Sequence, residues 1–291
     1  MKTLPKSTRW LLLAPVAALG VTVTLGLSAG SSSAQVAPAN ETVDLLYLYG
    51  SIPPGIHDMR LEDTGDRGMS QFAEALRDVN VNPVGVHDVE IELTDESLED
   101  YDVVLLGSNN RRFSESEAQA LAQFVEQGGG VIAWSDAGFG WQEGGLSSPA
   151  GRESDNDLTE QFGMRFMLDN GAGVFTIREY LKPHFLNDND PNEGVVYRGE
   201  GVSLIEVREP AEKLADLQLG GTSGELRLNP ADGELGPEHA VLAVAYVGDG
   251  RVVGTFDRNT FWNAGEGTRL SELDHREFAQ RLALWAAGYG D

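Results

Sequence analysis

Apolar positions come in short, dense runs over the first half of the chain. Residues 43–50, VDLLYLYG, are apolar apart from Asp44 and stop at Gly50. That is the pattern of a strand buried on both faces of a parallel sheet. In the stretch SIPPGIHDMRLEDTGDRG, residues 51–68, Pro53, Pro54 and Gly55 break regular structure. Met69, Phe72, Ala73 and Leu76 then recur at helical spacing and predict one apolar helix face. NPVGVHDVEI (82–91) and YDVVLLGSNN (101–110) read as the next strands. Ser114 and Glu117 form a capping box ahead of the helix AQALAQFVEQ, and the glycines 128–130 end it. VIAWS (131–135) is the fourth strand. The order strand, helix, strand, strand, helix, strand requires crossover connections and a mostly parallel sheet.

The middle third is less regular. ESDNDLTEQFGMRF (153–166) predicts a helix followed by an extended piece. GVSLIEV (201–207) and GELRLN (224–229) read as strands, with an acidic helical piece near 210–217 between them. AVLAVAYVGDGRVVGTFD (240–257) is a hairpin turning at Gly248, Asp249 and Gly250. The segment 271–288 predicts a closing helix with Ser271 as N-cap and Leu273, Phe278, Leu282 and Trp285 on its buried face. No internal repeat is present, and residues 43–291 are expected to form a single domain.

Composition changes this picture at the start of the chain and at the surface. Lys2, Lys6 and Arg9 precede an apolar run from Trp10 to Leu27 and the small residues SAGSSSAQ. This is the plan of an export signal over residues 1–34, followed by a linker at 35–42. It predicts a secreted or periplasmic protein, with membrane attachment only where the signal is retained. The formal net charge is −25, and Lys182 and Lys213 are the only lysines beyond the leader. Such a surface stays soluble in high salt through self-repulsion and repels phosphate backbones, so nucleic acid is not an expected partner. The oligomeric state is not legible. The chain has no cysteine, which removes disulfides and thiolate chemistry together.

The run LEDYDVVLLGSNNRRFSESEAQALAQFVEQGGGVIAWSD, the hairpin and the closing REFAQRLALWAAG resemble the class I glutamine amidotransferase-like superfamily. Within it they are similar to the non-amidotransferase branches, such as the ThuA-type proteins. The resemblance implies an α/β fold, a flavodoxin-like three-layer sandwich with a mostly parallel sheet and a late β-hairpin. In such sheets ligands bind beyond the carboxyl ends of the strands, which selects the stretches after strands one, three and four and after the hairpin. Strand register puts Ser135 where true amidotransferases carry their cysteine. With no cysteine, glutamine hydrolysis as that family performs it is excluded. Ala133 and Ala137 leave room for a tight nucleophile turn at Ser135, and His184 or His239 would be its base. Asp136 and Asp257 could alternatively divide acid and base roles. The plainer reading is that Ser135 and Asp136 cap a turn.

Two loops carry further candidate chemistry. DRNTFWNAGEGT (257–268) combines Asp257, Arg258, Asn259, Trp262 and Asn263, a set suited to stacking on a sugar ring and orienting its hydroxyls. Equally, Trp262 can anchor the loop, and Asp257 and Arg258 can form an ion pair. GSNNRR offers Ser108, Asn109, Asn110, Arg111 and Arg112, which would bind a carboxylate or sulfate, or else pair with surface acids. Asp188, Asp190 and Glu193 form an acidic cluster open to a calcium reading, although their spacing matches no EF-hand. The five histidines show no HExxH spacing, and only His57, beside Asp58, is placed to face the cleft. No zinc site is expected. No GxGxxG follows the first strand, so no nucleotide cofactor is expected. The sequence thus predicts a small polar or carbohydrate-like ligand at the strand ends. The alternatives are a serine- or carboxylate-dependent hydrolase and a cell-envelope scaffold.

Overall fold

The structure is a computed structural model. It describes residues 41–50, 59–107, 109, 111–135, 150–167, 174–200, 204–216, 238–264 and 268–290, without the side chains of 135, 150–154, 174 and 200. All of these residues fall in one compact unit.

The strands are β1 (Val43–Tyr49), β2 (Val81–His87), β3 (Val103–Gly107), β4 (Gly130–Ser135), β5 (Met164–Phe166) and β6 (Val174–Ile177). They continue as β7 (Tyr197–Glu200), β8 (Ile205–Val207), β9 (Ala211–Ala215), β10 (His239–Ala240), β11 (Leu242–Val247) and β12 (Gly250–Phe256). The helices are α1 (Ser70–Arg77), α2 (Asp95–Leu98), α3 (Glu115–Glu126), α4 (Ala150–Thr159) and α5 (His275–Ala286).

Seven strands form the central sheet in the order β2-β1-β3-β4-β12-β11-β9. The first five run parallel, and β11 and β9 continue antiparallel. This is a flavodoxin-like arrangement: the chain leaves β1 for one side of the sheet and returns to β3 on the other.

Period-two alternation divides the strands between two cores. Leu45 and Tyr47 face a core shared with Phe72 and Leu76 of α1 and with Phe278 and Leu282 of α5. Leu46 and Leu48 face the opposite core, with Leu121 and Val125 of α3, Leu158 of α4 and Met164 of β5. Burial on both faces explains why the runs are continuously apolar rather than alternating.

Local signals decide where several elements end. Ser114 and Glu117 make the reciprocal capping box of α3. Gly128 lies at φ +107°, which lets the chain turn from α3 into β4. A Cβ on Gly130 would lie 2.2 Å from the Ala286 carbonyl oxygen, so the end of α5 packs directly on the start of β4. The late hairpin joins Val247 to Gly250 across two residues, with Gly248 at φ +59°.

Two elements differ from the sequence reading. The expected helical piece near 210–217 is the edge strand β9 over Ala211–Ala215. Its residues are good helix formers, but Ala211, Leu214 and Ala215 are buried by pairing with β11, and that tertiary burial overrides propensity. A register shift at Leu242/Ala243 allows Leu214 and Ala215 to be buried in succession. The closing helix starts at His275 rather than after Ser271, so Leu273 lies outside it, at φ +46° and exposed. Phe278, Leu282 and Trp285 are buried as expected. The expected strand at 224–229 lies outside the described residues.

Candidate functional site

Parallel register aligns the carboxyl ends of the strands. Tyr49 pairs with His87 and Gly107, and Ser135 pairs with Phe256. The residues just beyond these tips therefore share one edge of the sheet: Asp88 after β2, Asn109 after β3, and Asp257 and Arg258 after β12. Asp88, Asn109, Asp257 and Arg258 are all buried. Polar groups are rarely buried without partners, because an unmet donor or acceptor forfeits its hydration.

Helix α4 adds the residue that organises this edge. Asp155 is fully buried, and its Oδ1 accepts the backbone N–H and the side-chain Nδ2–H of Asn109, each at 3.4 Å. Asp155 Oδ2 and Asn109 Oδ1 have no hydrogen-bond partner among the described residues. Burial drives the Asp155 carboxyl well above the usual carboxylate range. The Asn109 bonds and the Arg258 charge oppose that rise, and the nearby Asp88 charge adds to it. Asp88 Oδ1 also lies 3.3 Å from His87 Nδ1.

The next two residues of α4 hold Asp155 in place. Asn156 Nδ2 donates to the Phe166 carbonyl at 2.8 Å, and its Oδ1 accepts the Phe166 N–H at 2.7 Å. Asp157 takes Arg112 through two bonds, at 2.6 and 2.5 Å, and also accepts the Phe113 N–H. The chain leaves β12 through Asp257, which sits at φ +62° with its Oδ1 accepting the Asn259 N–H at 2.8 Å. Left-handed backbone at a non-glycine residue stores about 1 kcal/mol or more, and such strain gathers at sites where a side chain must be aimed. Asn259 Oδ1 is a third buried acceptor without a partner among the described residues.

Other candidates are placed elsewhere. All five donors of Arg111 are engaged within the protein: Nε with the Asp88 carbonyl, and the two terminal nitrogens with Glu117 and the carbonyls of Arg112 and Ile91. The guanidinium has none left for an anion. Trp262 is only 5% exposed and belongs to the core under α1 and α5, with Arg67 above its ring. Asn263 donates to the Asp63 and Gly65 carbonyls and accepts from the Gln71 N–H and the Ser70 hydroxyl. These two residues fasten the 257–264 segment to the 63–71 loop, which is the anchoring alternative rather than a sugar platform. On that side the rings of Trp134 and Phe261 stack at 4.6 Å, with Phe72 edge-on at 5.3 Å to Trp134. The strand ends there are filled by aromatic side chains, and the polar cluster lies on the α4 side. Asn263→Ala is expected to lower unfolding free energy by about 2–3 kcal/mol, because it orphans several backbone groups at once. Denaturant titration checks this, and an unchanged midpoint would refute the fastening role.

Of the bases considered for Ser135, His184 is buried with its ring 5.0 Å from that of Trp285, and Arg251 acts on its charge. Arg251 pairs with Gly130, at the other end of β4 from Ser135, about 16 Å away at the strand rise. His239 sits in the small β10-β8-β5 sheet opposite Glu206, with Nδ1 3.7 Å from the Glu238 carboxylate. Ser108, Asn110, Asp136, His57, Asp58 and the Ser135 side chain lie outside the described residues. In the acidic cluster, Asp188 binds Arg281 at 2.8 Å and Asp190 accepts the N–H groups of Asn192 and Glu193. Among the described residues no group of three or more acids or histidines is arranged to hold a metal ion.

Residues 62–283, about three quarters of the chain, match the family model described as "Domain of unknown function (DUF4350)". The chain belongs to the DUF4350 family. That match spans every strand of the central sheet except β1, together with α4 and every residue of the carboxyl-edge cluster. No curated protein matches this DUF4350 chain. Among solved structures it is similar to the mmIFT52 N-terminal domain, at 14% identity over 84% of this chain and 97% of that one, with a TM-score of 0.56. It is also similar to the cytoplasmic protein STM1381 from Salmonella typhimurium LT2, at 14% identity over 84% and 99% of the two chains, with a TM-score of 0.54. A protein from Parabacteroides merdae described as thua-like gives 14% identity over 85% and 91%, with a TM-score of 0.44. At such identities the first two likenesses establish a shared architecture and nothing more.

Proposed function

We propose that this DUF4350 domain is a binding domain on the amidotransferase-like architecture, without cysteine chemistry, that takes a small polar, hydroxyl-bearing ligand at the carboxyl edge of its sheet. The observation that carries the reading is the Asn109–Asp155 pair. Both side chains are fully buried, they hold each other, and each has an oxygen without a partner among the described residues. Buried oxygens left open are what a ligand's hydrogen-bonding groups would complete. Their position beside the strand-order reversal, where α/β sheets hold ligands, supports the same reading. So does the absence of cysteine from the whole chain, which leaves the superfamily's glutaminase reaction without its nucleophile.

A thermal-shift screen in high salt, against neutral sugars and polyols with acetate and inorganic phosphate as controls, tests the reading. At least one neutral hydroxyl compound is expected to raise the melting temperature of the parent protein, with a smaller rise in Asn109→Ala. No shift with any compound, or equal shifts in both proteins, would refute it.

A further inference from the structure

Three successive residues of α4 tie that helix to its surroundings, and the first of them is Asp155. Asn156 holds β5 and Asp157 holds Arg112, so the Asp155 carboxyl is fixed in the interior. Its own contacts are unlike those of its neighbours. The Asp157 carboxylate meets Arg112 at 2.5 and 2.6 Å, whereas Asp155 Oδ1 meets both Asn109 donors at 3.4 Å. Charge-assisted bonds to an ionised carboxylate run at about 2.7–2.9 Å. Contacts of 3.4 Å would leave an ionised group poorly compensated at full burial. Among the described residues, the charges that act on Asp155 are those of Arg258 after β12 and Asp88 after β2. Their signs oppose each other, so the pair does little to hold a negative charge there.

Resting on the proposed ligand site, we infer that Asp155 is a neutral carboxylic acid at neutral pH. Its Oδ2–H is the donor to a ligand hydroxyl or carbonyl oxygen, and Asn109 Oδ1 is the acceptor for a ligand hydroxyl or amide N–H. Oδ1 is already taken by the two Asn109 donors, which leaves Oδ2 as the oxygen that carries the proton. The Asn109 amide is oriented by the same contact: its nitrogen faces the carboxyl, so its oxygen faces away. The site then offers one donor and one acceptor without net charge from either residue. That pair is complementary to a hydroxyl or carboxamide group. A carboxylate or phosphate would gain one bond from Asp155 and meet the Asn109 oxygen, an acceptor to which it has no hydrogen to donate.

Infrared difference spectroscopy of the parent protein against Asp155→Asn, near neutral pH in high salt, tests the inference. A protonated-carboxyl stretch is expected in the parent and absent from the variant. Carbon-13 NMR of aspartate-labelled parent protein gives the same answer without any variant: one aspartate carboxyl carbon should remain in its acid form near neutral pH. If every aspartate is ionised there, the inference falls. If the acid signal is present but inorganic phosphate shifts the melting temperature while neutral polyols do not, the assigned ligand class falls. If the acid signal is present and no compound shifts it, the acid state of Asp155 stands and the carboxyl edge is not a ligand site.

Discussion

Glu117→Ala is expected to lower unfolding free energy by about 3 kcal/mol, among the largest effects of any single side chain in the described structure. Removing one partner of a buried ion pair typically costs about 3–5 kcal/mol. The lower end applies because Arg111 keeps one fifth of its side chain exposed, while Glu117 keeps 5%. Glu117 closes the capping box of α3, binds both terminal nitrogens of Arg111 and accepts the Leu93 N–H at 3.2 Å. Burial raises its pKa, but Arg111 and the N–H groups of Ser114 and Leu93 outweigh that and lower it to about 2. The folded-state value therefore lies below the ordinary 4.5. The stabilisation is complete above that value and fades as pH falls toward 2. Denaturant unfolding of parent and variant should differ by about 3 kcal/mol at neutral pH and converge in strong acid. A constant difference across that range would contradict the pairing.

His184 gives the second large effect, in a higher pH window. Burial, then the Lys182 charge, lower its ring from 6.5 to about 4, with Arg251 acting in the same direction and Glu212 against it. The unfolded chain takes up the proton near 6.5, whereas the folded chain resists it until about 4. Stability from this residue is thus complete above 6.5 and is lost as pH falls to about 4, by roughly 3 kcal/mol in all. The structural reason is visible at Nδ1, which accepts the Leu186 N–H at 3.1 Å and loses that role once protonated. His184→Asn keeps an acceptor for that N–H and removes the titration. The variant should start less stable at neutral pH, through lost packing on Trp285, and decline less steeply in acid. Parallel slopes would contradict the assignment.

The sequence and the structure agree where the physics is local. The capping box at Ser114 and Glu117, the glycines after α3 and the two-residue turn at Gly248 depend on residues within a few positions of one another. The doubly buried strands carried their own signal in continuous apolar runs. Disagreement begins where distant partners decide. Ala211–Ala215 has helical composition and becomes a strand because β11 lies beside it. Trp262 and Asn263 have the composition of a sugar site, yet the groups that capture Asn263 lie 192 to 200 residues earlier in the chain. Arg111 stood out in an acidic chain, but Glu117 and three carbonyls use it completely.

Asp155 was hidden for the opposite reason. One more aspartate in ESDNDLTEQF is unremarkable at a net charge of −25. Only the fold reveals that this acid, unlike Asp157 two positions on, is turned fully inward toward Asn109. The candidate site was therefore legible as a region, the ends of the strands, and partly as residues: Asn109, Asp257, Arg258 and Asn259.

Titration calorimetry in high salt, using the neutral hydroxyl compound that most raises the melting temperature, tests the carboxyl-edge site most directly. The account predicts saturable binding to the parent protein, affinity lower by about tenfold or more in Asn109→Ala, and parent-like affinity in folded Asn263→Ala. Equal affinity in the parent and Asn109→Ala, or affinity lost only in Asn263→Ala, would contradict it.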